Sequence, residues 1–410
     1  MYLGIDDTDS PNGMCTTYLG AMIAEHLLRA GYTIGESRLI RLNPNVIWKT
    51  RGNAAICLEI SNGTPAGVFN VACKLVEKFA EFNCENTNPG VVVVNEQPDP
   101  AFYYKALQRF CTIDETIYQL DKIEALYRGY KYGRGLIGAL AAVSSVLPDA
   151  TYELLAYRSE RRFGTPREIV AESFFSSATA TFPHTWDTVD TTAGTVVCVP
   201  HGKDPVLYGI RGDSPYWVMR SAKMLISEYP AISKIWKTNQ GTDAHLLDYE
   251  GNPQEGYSYR INGVVSGTPI TRCGGHVEFF FAPDVGGPGM RVFAFEPTKN
   301  FRHTVRKLLP GDKLTICGSW RRNALHLEKF RANFLQPMWT RRSPKCPSCG
   351  GRMTSAGNEK GYKCRSCAWR IRTLEMKKHI RTITEGWYEV PPSARRHLAK
   401  PIARIQENMT

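Results

Sequence analysis

Long apolar runs are missing from this sequence. A membrane-spanning helix needs roughly 18 consecutive apolar residues, and no stretch of the chain reaches that length. The first residues, YLGI, begin a strand at once and are not preceded by the basic and apolar segments of a secretion signal. We therefore expect a cytoplasmic protein.

Low-complexity tracts and repeats of fixed period are also missing. With 42% apolar and 22% charged residues, the composition is that of a folded protein. The 410 residues exceed what one hydrophobic core usually supports, so several domains are expected. Disorder is expected only near the C-terminus.

Acidic residues are scarce in the last part of the chain. Residues 341–410 contain 16 Lys and Arg, no Asp and five Glu, whereas the first 340 residues are nearly balanced, with 35 basic and 34 acidic side chains. A positive field concentrated in one module favours a polyanionic partner, and nucleic acid is favoured over a membrane because no amphipathic lipid-binding helix accompanies it. The alternative is a solvated basic tail.

Twelve cysteines are present, and eight of them stand singly in apolar stretches such as AICLEI, where a free thiol packs as a small apolar side chain. The last four form two CxxC pairs separated by fourteen residues: Cys346, Cys349, Cys364 and Cys367. This spacing predicts one structural zinc ion held by four thiolates, with no open position for catalysis.

Cations and aromatic residues alternate around these cysteines. Such a mixture suits the binding of flexible RNA, because Lys and Arg neutralise phosphates while aromatic rings stack on bases. The candidates for RNA contact are Lys345, Lys363, Arg365 and Trp369.

The order of the predicted elements indicates a multidomain α/β and α+β protein. Strands and helices alternate over residues 1–192, and a strand-strand-helix-strand pattern over 193–252 resembles a ferredoxin-like unit. Five short strands over 253–340, with a helix before the fourth, predict an OB-fold β-barrel. Residues 341–373 form the zinc ribbon, and 374–410 a basic C-terminal tail.

Aromatic residues of the predicted barrel are candidates for stacking on bases. They are Phe279, Phe280, Phe281 and Trp320. A core position is the commoner role for an aromatic side chain in a barrel.

Three carboxylates follow the first strand in the segment GIDDTDSPNGMCTT. Asp6, Asp7 and Asp9 leave the carboxyl end of that strand, where α/β folds place their ligands, and clustered hard oxygens favour Mg²⁺ and nucleotide phosphates. The alternative is a simple turn in which Ser10 and Gly13 reverse the chain.

Two threonines, Thr16 and Thr17, precede the helix expected to begin near Tyr18. Either hydroxyl is suited to cap the helix. A hydroxyl beside a bound nucleotide is equally suited to accept a phosphoryl group. The residues themselves leave both roles open.

The segment YKYGRGLIGALAAVSS contains a GxGxxG pattern. No buried strand precedes it, so a dinucleotide site is not expected. Instead Lys131, Arg134 and Gly135 are candidates to approach and neutralise a triphosphate at a glycine-rich helix start. The alternative is that the glycines permit tight helix packing.

Two polar segments remain, residues 43–55 with Lys49 and Arg51, and residues 237–245 with the sequence KTNQGTDAH. Each segment is a candidate for contact with the phosphates of ATP or RNA. A plain surface loop is the more economical interpretation.

Taken in order, the motifs resemble those of the archaeal tRNA-isoleucine 2-agmatinylcytidine synthetases. The resemblance rests on GIDDTDSPNGMCTTYLG, NPNVIWKTRGNAA, GYKYGRGLIGALAAVSS, VLYGIRG, KTNQGTDAHL and the four-cysteine ribbon. It extends from Tyr2 to about Arg372, and the residues beyond are not matched.

The resemblance implies an ATP-dependent ligase that conjugates agmatine to C2 of the wobble cytidine in the CAU anticodon of an isoleucine tRNA, so that the tRNA decodes AUA. It implies a kinase-like N-terminal domain in which Asp6, Asp7 and Asp9 bind Mg²⁺ and ATP. That domain phosphorylates the cytidine and its own Thr16. The remaining ATP-binding residues would be Ser10, Gly13, Lys131, Arg134 and Gly135.

The ferredoxin-like and barrel domains would hold the tRNA, and the ribbon would help to present the anticodon nucleotide. Agmatine carries a guanidinium group, so its pocket should offer a carboxylate. The unranked candidates are Asp187, Asp190, Asp204 and Asp213.

Two alternatives stay open at this point. One is a non-catalytic RNA-binding protein built from an OB-fold and a zinc ribbon, which would leave the acidic loop without a role. The other is a related ligase that uses another amine. In neither case is an obligate protein partner expected.

Overall fold

The computed structural model describes residues 1–50, 52–357, 360–372 and 375–405. The side chains of Arg341 and Glu375 are not described. Of the helices in these ranges, none combines the length and the apolar character that crossing a bilayer requires.

Within the described residues, the first part of the chain forms one large sheet of nine strands and a separate pair of strands, together with seven α-helices. Its strands are β1 (Tyr2–Asp6), β2 (Ile34–Arg41), β3 (Ala54–Ile60), β4 (Gly90–Val94), β5 (Leu126–Gly129), β6 (Thr151–Tyr157), β7 (Thr185–Trp186), β8 (Val189–Asp190), β9 (Thr195–Val196), β10 (Val206–Gly212) and β11 (Ile232–Thr238). Its helices are α1 (Thr16–Arg29), α2 (Pro65–Phe79), α3 (Ala101–Gln108), α4 (Ile113–Lys122), α5 (Gly135–Val143), α6 (Ala171–Thr181) and α7 (Pro215–Lys223).

Nine of these strands lie in the order β5-β4-β1-β3-β2-β11-β6-β10-β7, while β8 and β9 pair separately. Neighbours are antiparallel except β2 and β11, which are parallel. The sheet is continuous across the expected boundary between residues 192 and 193, because β6 and β7 precede that point and β10 and β11 follow it. The mixed α/β character expected from the sequence is confirmed.

Local sequence patterns explain the elements that position the site. The apolar positions Leu19, Met22, Ile23 and Leu27 recur at helical spacing and form the buried face of α1. All five residues of β4 are buried, as expected for a strand covered on both faces. Helix α5 begins at the glycine-rich segment, as predicted.

The helix cap of α1 differs from the expectation. The N-cap residue is Cys15, and Thr16 is already the first helical residue, so neither threonine caps the helix. The helix begins two residues earlier than predicted, with the extended Cys15 as its N-cap, and Thr16 and Thr17 are both buried in its first turn.

A second sheet closes into the predicted five-stranded barrel. Its strands and helix are β12 (Leu246–Asp248), β13 (Ser258–Val265), β14 (Ile270–Thr271), β15 (Val277–Pro283), β16 (Met290–Ala294), α8 (Asn300–Val305), β17 (Lys313–Arg321) and β18 (Ala324–Phe334). Strands β13, β15, β16, β18 and β17 are neighbours in that order, and β17 pairs with β13 to close the ring. In chain order, α8 precedes the fourth of these strands, β17. The barrel and its helix are thus confirmed.

The barrel aromatics divide between core and surface. Phe279 and Phe281 are fully buried, so the suggestion that they stack on bases is wrong. They point inward because alternate residues of a strand face the core. Phe280 is 46% exposed and faces outward.

The C-terminal part contains β19 (Met338–Arg342), β20 (Thr354–Ser355), β21 (Tyr362–Lys363), β22 (Arg370–Ile371), β23 (Glu375–His379) and β24 (Gly386–Glu389). Strands β20, β21 and β22 form the small sheet of the ribbon, and β19 pairs with β23. Strand β24 then pairs with β18 of the barrel.

The expectation of disorder near the C-terminus is wrong for residues 375–405. Val390, Leu398 and Ala399 are buried, so this part of the predicted basic tail packs against the rest of the protein. Residues 374 and 406–410 of that tail lie outside the described residues.

Candidate functional site

A cavity of about 390 Å³ opens beside the carboxyl end of β1 and extends across the sheet toward β10. Its walls come from the predicted α/β unit, the predicted ferredoxin-like unit and the C-terminal segment. The charged or titratable side chains that line it include Asp6, Asp7, Asp9, Arg41, Lys49, Arg109, Arg134, Glu153, Asp204, Arg211 and His397.

Asp6, Asp7 and Asp9 line one end of the cavity, the acidic end, and Asp6 is more deeply buried than Asp7. Asp6 Oδ1 accepts a hydrogen bond from the backbone N–H of Asp7 at 2.7 Å. A Cβ added to Gly138 would lie 1.8 Å from Asp6 Oδ2, so the carboxylate occupies the place of a side chain on α5. Burial raises the pKa of Asp6 well above its ordinary value, and the charge of Asp7 adds to this effect.

Asp7 sits in a left-handed backbone conformation, with φ at 57°. Its Oδ2 accepts a hydrogen bond from the N–H of Asn88 at 3.0 Å. Burial raises the pKa of Asp7 to about 6, although that hydrogen bond and the cations Arg134 and Lys131 oppose the shift. The group is therefore ionised at neutral pH but close to its titration range.

Asp9 ties the acidic loop to two neighbouring segments. Its Oδ1 accepts a hydrogen bond from the hydroxyl of Thr50, and its carbonyl oxygen accepts one from the hydroxyl of Thr87, both at 2.6 Å. These contacts hold the loop open around the cavity.

The three carboxylates share one cavity but do not form a tight metal cage. Within the described part of the chain, only the four ribbon cysteines bring three or more ligand atoms within 4.8 Å of one another. Mg²⁺ commonly takes one or two protein carboxylates and completes its shell with water and phosphate oxygens. The spread of Asp6, Asp7 and Asp9 fits that mode of binding.

The threonines of the opening motif both line this cavity. The Oγ1 of Thr16 accepts hydrogen bonds from the N–H of Thr8 at 3.3 Å and from its hydroxyl at 3.1 Å. The Oγ1 of Thr17 lies 3.0 Å from Cys15 Sγ. Both hydroxyls thus stand at the amino end of α1, beside the acidic loop.

Ser10 and Gly13 form the turn that the alternative interpretation described. Their backbones exchange two hydrogen bonds, and the Ser10 hydroxyl reaches Glu81 at 3.5 Å. Neither residue lines the cavity. A role for them in ATP binding stays a prediction.

The three residues of the glycine-rich segment that are predicted to bind ATP lie in different surroundings. Arg134 lines the cavity, and its buried Nε has no hydrogen-bond partner among the described residues. Lys131 instead donates to the carbonyl oxygens of Cys84 at 2.6 Å and Glu85 at 3.2 Å. A Cβ on Gly135 would lie 2.4 Å from the nitrogen of Gly90, so this glycine permits close packing of α5 on β4.

The other end of the cavity holds residues that are not among the predicted site residues, although Arg211 lies in the motif VLYGIRG and Gln240 in KTNQGTDAHL. The Glu153 carboxylate accepts hydrogen bonds from Arg211 Nε at 3.1 Å and from Gln240 Nε2 at 2.6 Å. Gln240 Oε1 in turn accepts one from Arg41 Nε at 3.2 Å. His397 Nδ1 lies 2.7 Å from Arg211 Nη2.

Burial lowers the pKa of Arg41 to about 10. Arg41, Glu153 and His397 are far apart in the sequence and carry no spacing pattern, whereas the motifs that contain Arg211 and Gln240 mark those segments without assigning these side chains to the site.

The segment 237–245 is not a surface loop. Asn239 and His245 are buried, and Asn239 Oδ1 accepts a hydrogen bond from the N–H of Arg41 at 2.8 Å. Its polar residues are internal connections between strands, which explains their number.

The mouth of the cavity carries two exposed aromatic side chains. Trp48 and Phe110 meet edge to face with ring centroids 6.4 Å apart. Nearby, Lys49 Nζ donates to the carbonyl oxygen of Pro44 at 2.6 Å, and burial, with Arg396, lowers the pKa of Lys49 to about 8. Arg51, named with Lys49 from the sequence, lies outside the described residues.

The four aspartates proposed for amine recognition can now be compared. Only Asp204 among them lines the cavity, and its Oδ1 lies 3.5 Å from Arg167 Nη2. Asp187 is paired with Arg211 and Arg395, Asp190 accepts from the hydroxyl of Ser393 at 2.7 Å, and Asp213 pairs with His184 at 2.6 Å.

The four ribbon cysteines converge as the spacing predicted. Their Sγ atoms all lie within 4.8 Å of one another, with Cys346 and Cys367 3.3 Å apart. Backbone N–H groups of Cys367 and Ser366 lower the pKa of Cys364 to about 6, which favours the thiolate. Four thiolates in this arrangement fit a tetrahedral zinc ion.

The predicted RNA-contacting side chains of the ribbon all lie on its surface. They are Lys345, Lys363, Arg365 and Trp369. The 51% exposed Trp369 offers a flat apolar face beside the cations.

Three family models match this chain. Residues 2–67 match the TiaS TCKD domain, residues 133–245 the TiaS FLD domain, and residues 343–383 the TiaS C-terminal zinc ribbon domain.

Curated relatives and solved structures agree with these matches. The chain is 62% identical to the isoleucine-tRNA 2-agmatinylcytidine synthetase TiaS of Methanocorpusculum labreanum, over 100% of this chain and 98% of that protein. It is 43% identical to that of Methanosarcina acetivorans, over 99% and 98%.

A crystal structure of TiaS in complex with its isoleucine tRNA and ATP matches with a TM-score of 0.90 and 40% identity, covering 99% of this chain and 98% of that one. A complex of TiaS with the same tRNA, AMPCPP and agmatine matches with a TM-score of 0.87 and 37% identity, over the same shares. The chain therefore belongs to the family of isoleucine-tRNA 2-agmatinylcytidine synthetases.

Proposed function

We propose that this chain is an ATP-dependent ligase that attaches agmatine to C2 of the wobble cytidine in the CAU anticodon of an isoleucine tRNA. Family membership over the whole length supports this, as do relatives solved with their isoleucine tRNA, ATP and agmatine. The observation that carries it is the single cavity, which joins an acidic, hydroxyl-bearing end to a second end lined by Glu153 and Asp204. A cytoplasmic location follows from this proposal, because the substrate is a tRNA.

The acidic end is suited to phosphoryl transfer. In this proposal Asp6, Asp7 and Asp9 hold Mg²⁺, which supplies the charge that polarises the phosphates of ATP when it is bound. Arg134 lines the same end and offsets negative charge on the phosphates. The hydroxyl of Thr16 stands beside this site, where it would accept a phosphoryl group of its own.

The base must be activated before an amine can attack it. The C2 oxygen of cytosine is a poor leaving group, and a phosphoryl group placed on it converts it to phosphate. The primary amine of agmatine then bonds to C2, phosphate leaves with the oxygen, and the amine loses a proton. The carboxylates of Asp204 and Glu153 favour the guanidinium of agmatine at the other end of the cavity.

We assign a kinase-like role to the N-terminal unit, and we place the ferredoxin-like fold at residues 151–238 and not at the 193–252 expected from the sequence. Support for the second assignment is the chain order β6, α6, β7, β10, α7, β11 and the sheet order β11-β6-β10-β7. The ribbon, with Lys345, Lys363, Arg365 and Trp369 exposed, is suited to grip the anticodon arm.

One incubation separates this function from its alternatives. The protein is mixed with the tRNA transcript, ATP and one amine at a time, and the nuclease fragment that holds the wobble base is weighed. We expect the fragment to gain the mass of agmatine less water. Modification by lysine but not agmatine would indicate a different ligase, and binding without ATP turnover would indicate a non-catalytic RNA-binding protein.

A further inference from the structure

The C-terminal segment returns from the barrel to the wall of the cavity. After β24, the backbone carbonyl of His397 accepts a hydrogen bond from the N–H of Gly241 at 2.7 Å, and that of Leu398 accepts one from Asp243 at 2.8 Å. The N–H of Lys400 donates to Asp243 Oδ1 at 2.7 Å. The segment is therefore fixed along the 241–243 turn.

Three successive side chains of this segment contact three separate parts of the chain, of which Arg211 lines the cavity. Arg395 pairs with Asp187, and Arg396 Nη1 donates to Asn45 Oδ1 at 3.0 Å. His397 reaches Arg211 on β10. The contact of His397 with Arg211 therefore ties this segment to the end of the cavity lined by Glu153 and Asp204, the amine end in the proposed function.

The imidazole of His397 acts as an acceptor. A guanidinium has only N–H donors, so His397 Nδ1 must be unprotonated in its contact with Arg211. Burial lowers the pKa of His397 well below its ordinary value, and the cations Arg41, Arg211 and Lys49 facing it act in the same direction. The lowered pKa favours the neutral ring, in agreement with its role as acceptor.

Arg211 is held on three sides. Its Nε donates to Glu153 at 3.1 Å, its Nη1 lies 3.5 Å from Asp187 Oδ2, and its Nη2 donates to His397. Without His397, Arg211 would keep its contacts with Glu153 and Asp187, but Nη2 would lose its acceptor, so this end of the guanidinium would be able to turn toward the cavity. There it would oppose a cationic amine by charge and would occupy the space that another guanidinium needs.

We propose that His397 is a positioning residue for amine binding: its Nδ1 holds the Arg211 guanidinium against the wall, so that the amine end of the cavity stays open to the guanidinium of the substrate. This inference rests on the proposed ligase function. It assigns the C-terminal segment, which has no counterpart among the sequence motifs, to the active site.

The test compares His397→Asn with His397→Gln in the full-length protein. The Asn side chain places its amide oxygen near the position of Nδ1, whereas Gln places it near Nε2, so only Asn keeps the acceptor that Arg211 needs. The KM values for agmatine and for ATP, and the affinity for the tRNA transcript, are measured for both variants after thermal melting confirms that they fold.

We expect His397→Gln to raise the KM for agmatine about tenfold or more, because a hydrogen bond to a charged group is lost. The KM for ATP and the affinity for tRNA should stay within about threefold of wild type. His397→Asn should keep the agmatine KM within about threefold. Equal agmatine KM values for the two variants, or parallel losses for all three ligands, would overturn the inference.

If His397→Gln does not fold, His397→Ala replaces it, because Ala also removes the acceptor. An agmatine KM raised about tenfold in His397→Ala but near wild type in His397→Asn supports the positioning role, and equal values contradict it. Failure of the wild-type protein to join agmatine to the tRNA would instead reject the proposed function itself.

Discussion

Gly138 lies directly against the carboxylate of Asp6, so close that a Cβ on the glycine would fall 1.8 Å from Asp6 Oδ2. Helix α5 can approach β1 only because this position has no side chain. The glycine-rich segment therefore shapes the acidic end of the cavity through packing, and Asp6 is buried as a result.

Gly138→Ala tests this contact. The added methyl must displace Asp6 or the helix, and we expect the free energy of unfolding to fall by about 1–3 kcal/mol. We also expect tRNA-dependent ATP turnover to fall, because the carboxylate is moved. Denaturant unfolding and a phosphate-release assay check both effects. Gly289→Ala is the control, since its nearest neighbour would be 3.7 Å away.

Asp7→Asn should lower the activity of the protein while raising its stability above about pH 6. In the folded protein the pKa of Asp7 is about 6, against an ordinary value of 3.8, so its carboxyl group stays protonated up to about pH 6. The stability contributed by this bound proton is fully present below the ordinary pKa and is lost as the pH rises through about 6. The variant removes the charge but keeps an oxygen for the Asn88 N–H.

We expect the metal-free and nucleotide-free variant to be more stable than wild type above about pH 6, by an amount on the order of 1–2 kcal/mol, with the gap closing toward about pH 4. ATP turnover should be lost, while tRNA affinity stays within a few-fold. Unfolding curves across this range provide the measurement. An equal loss of tRNA affinity would show that the loop is structural instead.

Thr16→Ala should abolish transfer of labelled phosphate from ATP to the protein. Thr17→Ala is the matched control, because it removes the same kind of hydroxyl from the neighbouring residue, which lines the same cavity. Mass spectrometry of the peptide that spans both residues checks the result. Phosphate retained in Thr16→Ala and absent in Thr17→Ala would reverse the assignment.

Cys364→Ser should lose the metal of the ribbon and weaken tRNA binding by roughly tenfold or more, because the ribbon needs its ion to fold and carries exposed cations. ATP binding should be unchanged, since the cavity lies in another sheet. Metal analysis and filter binding provide the readouts. Cys273→Ser, at an exposed free cysteine, should behave as wild type. Full tRNA affinity without zinc would contradict the role of the ribbon.

Features that depend on local spacing were predictable from the sequence. The zinc site follows from two CxxC pairs, and the acidic loop from three carboxylates in four positions. The barrel follows from short strands separated by glycine and proline, and the family from motifs in a fixed order. In each case the residues that act together are neighbours in the chain or repeat at a regular interval.

The tertiary structure alone decided how distant segments meet. Arg41, Glu153, Arg211 and His397 come from four parts of the chain, and the first three lie close together because β2, β11, β6 and β10 are neighbours in one sheet. The path of residues 375–405 back to the cavity also has no local signature, and it rests on hydrogen bonds between segments about 150 residues apart. Such contacts depend on the whole packed chain, so periodicity and motif spacing do not encode them individually.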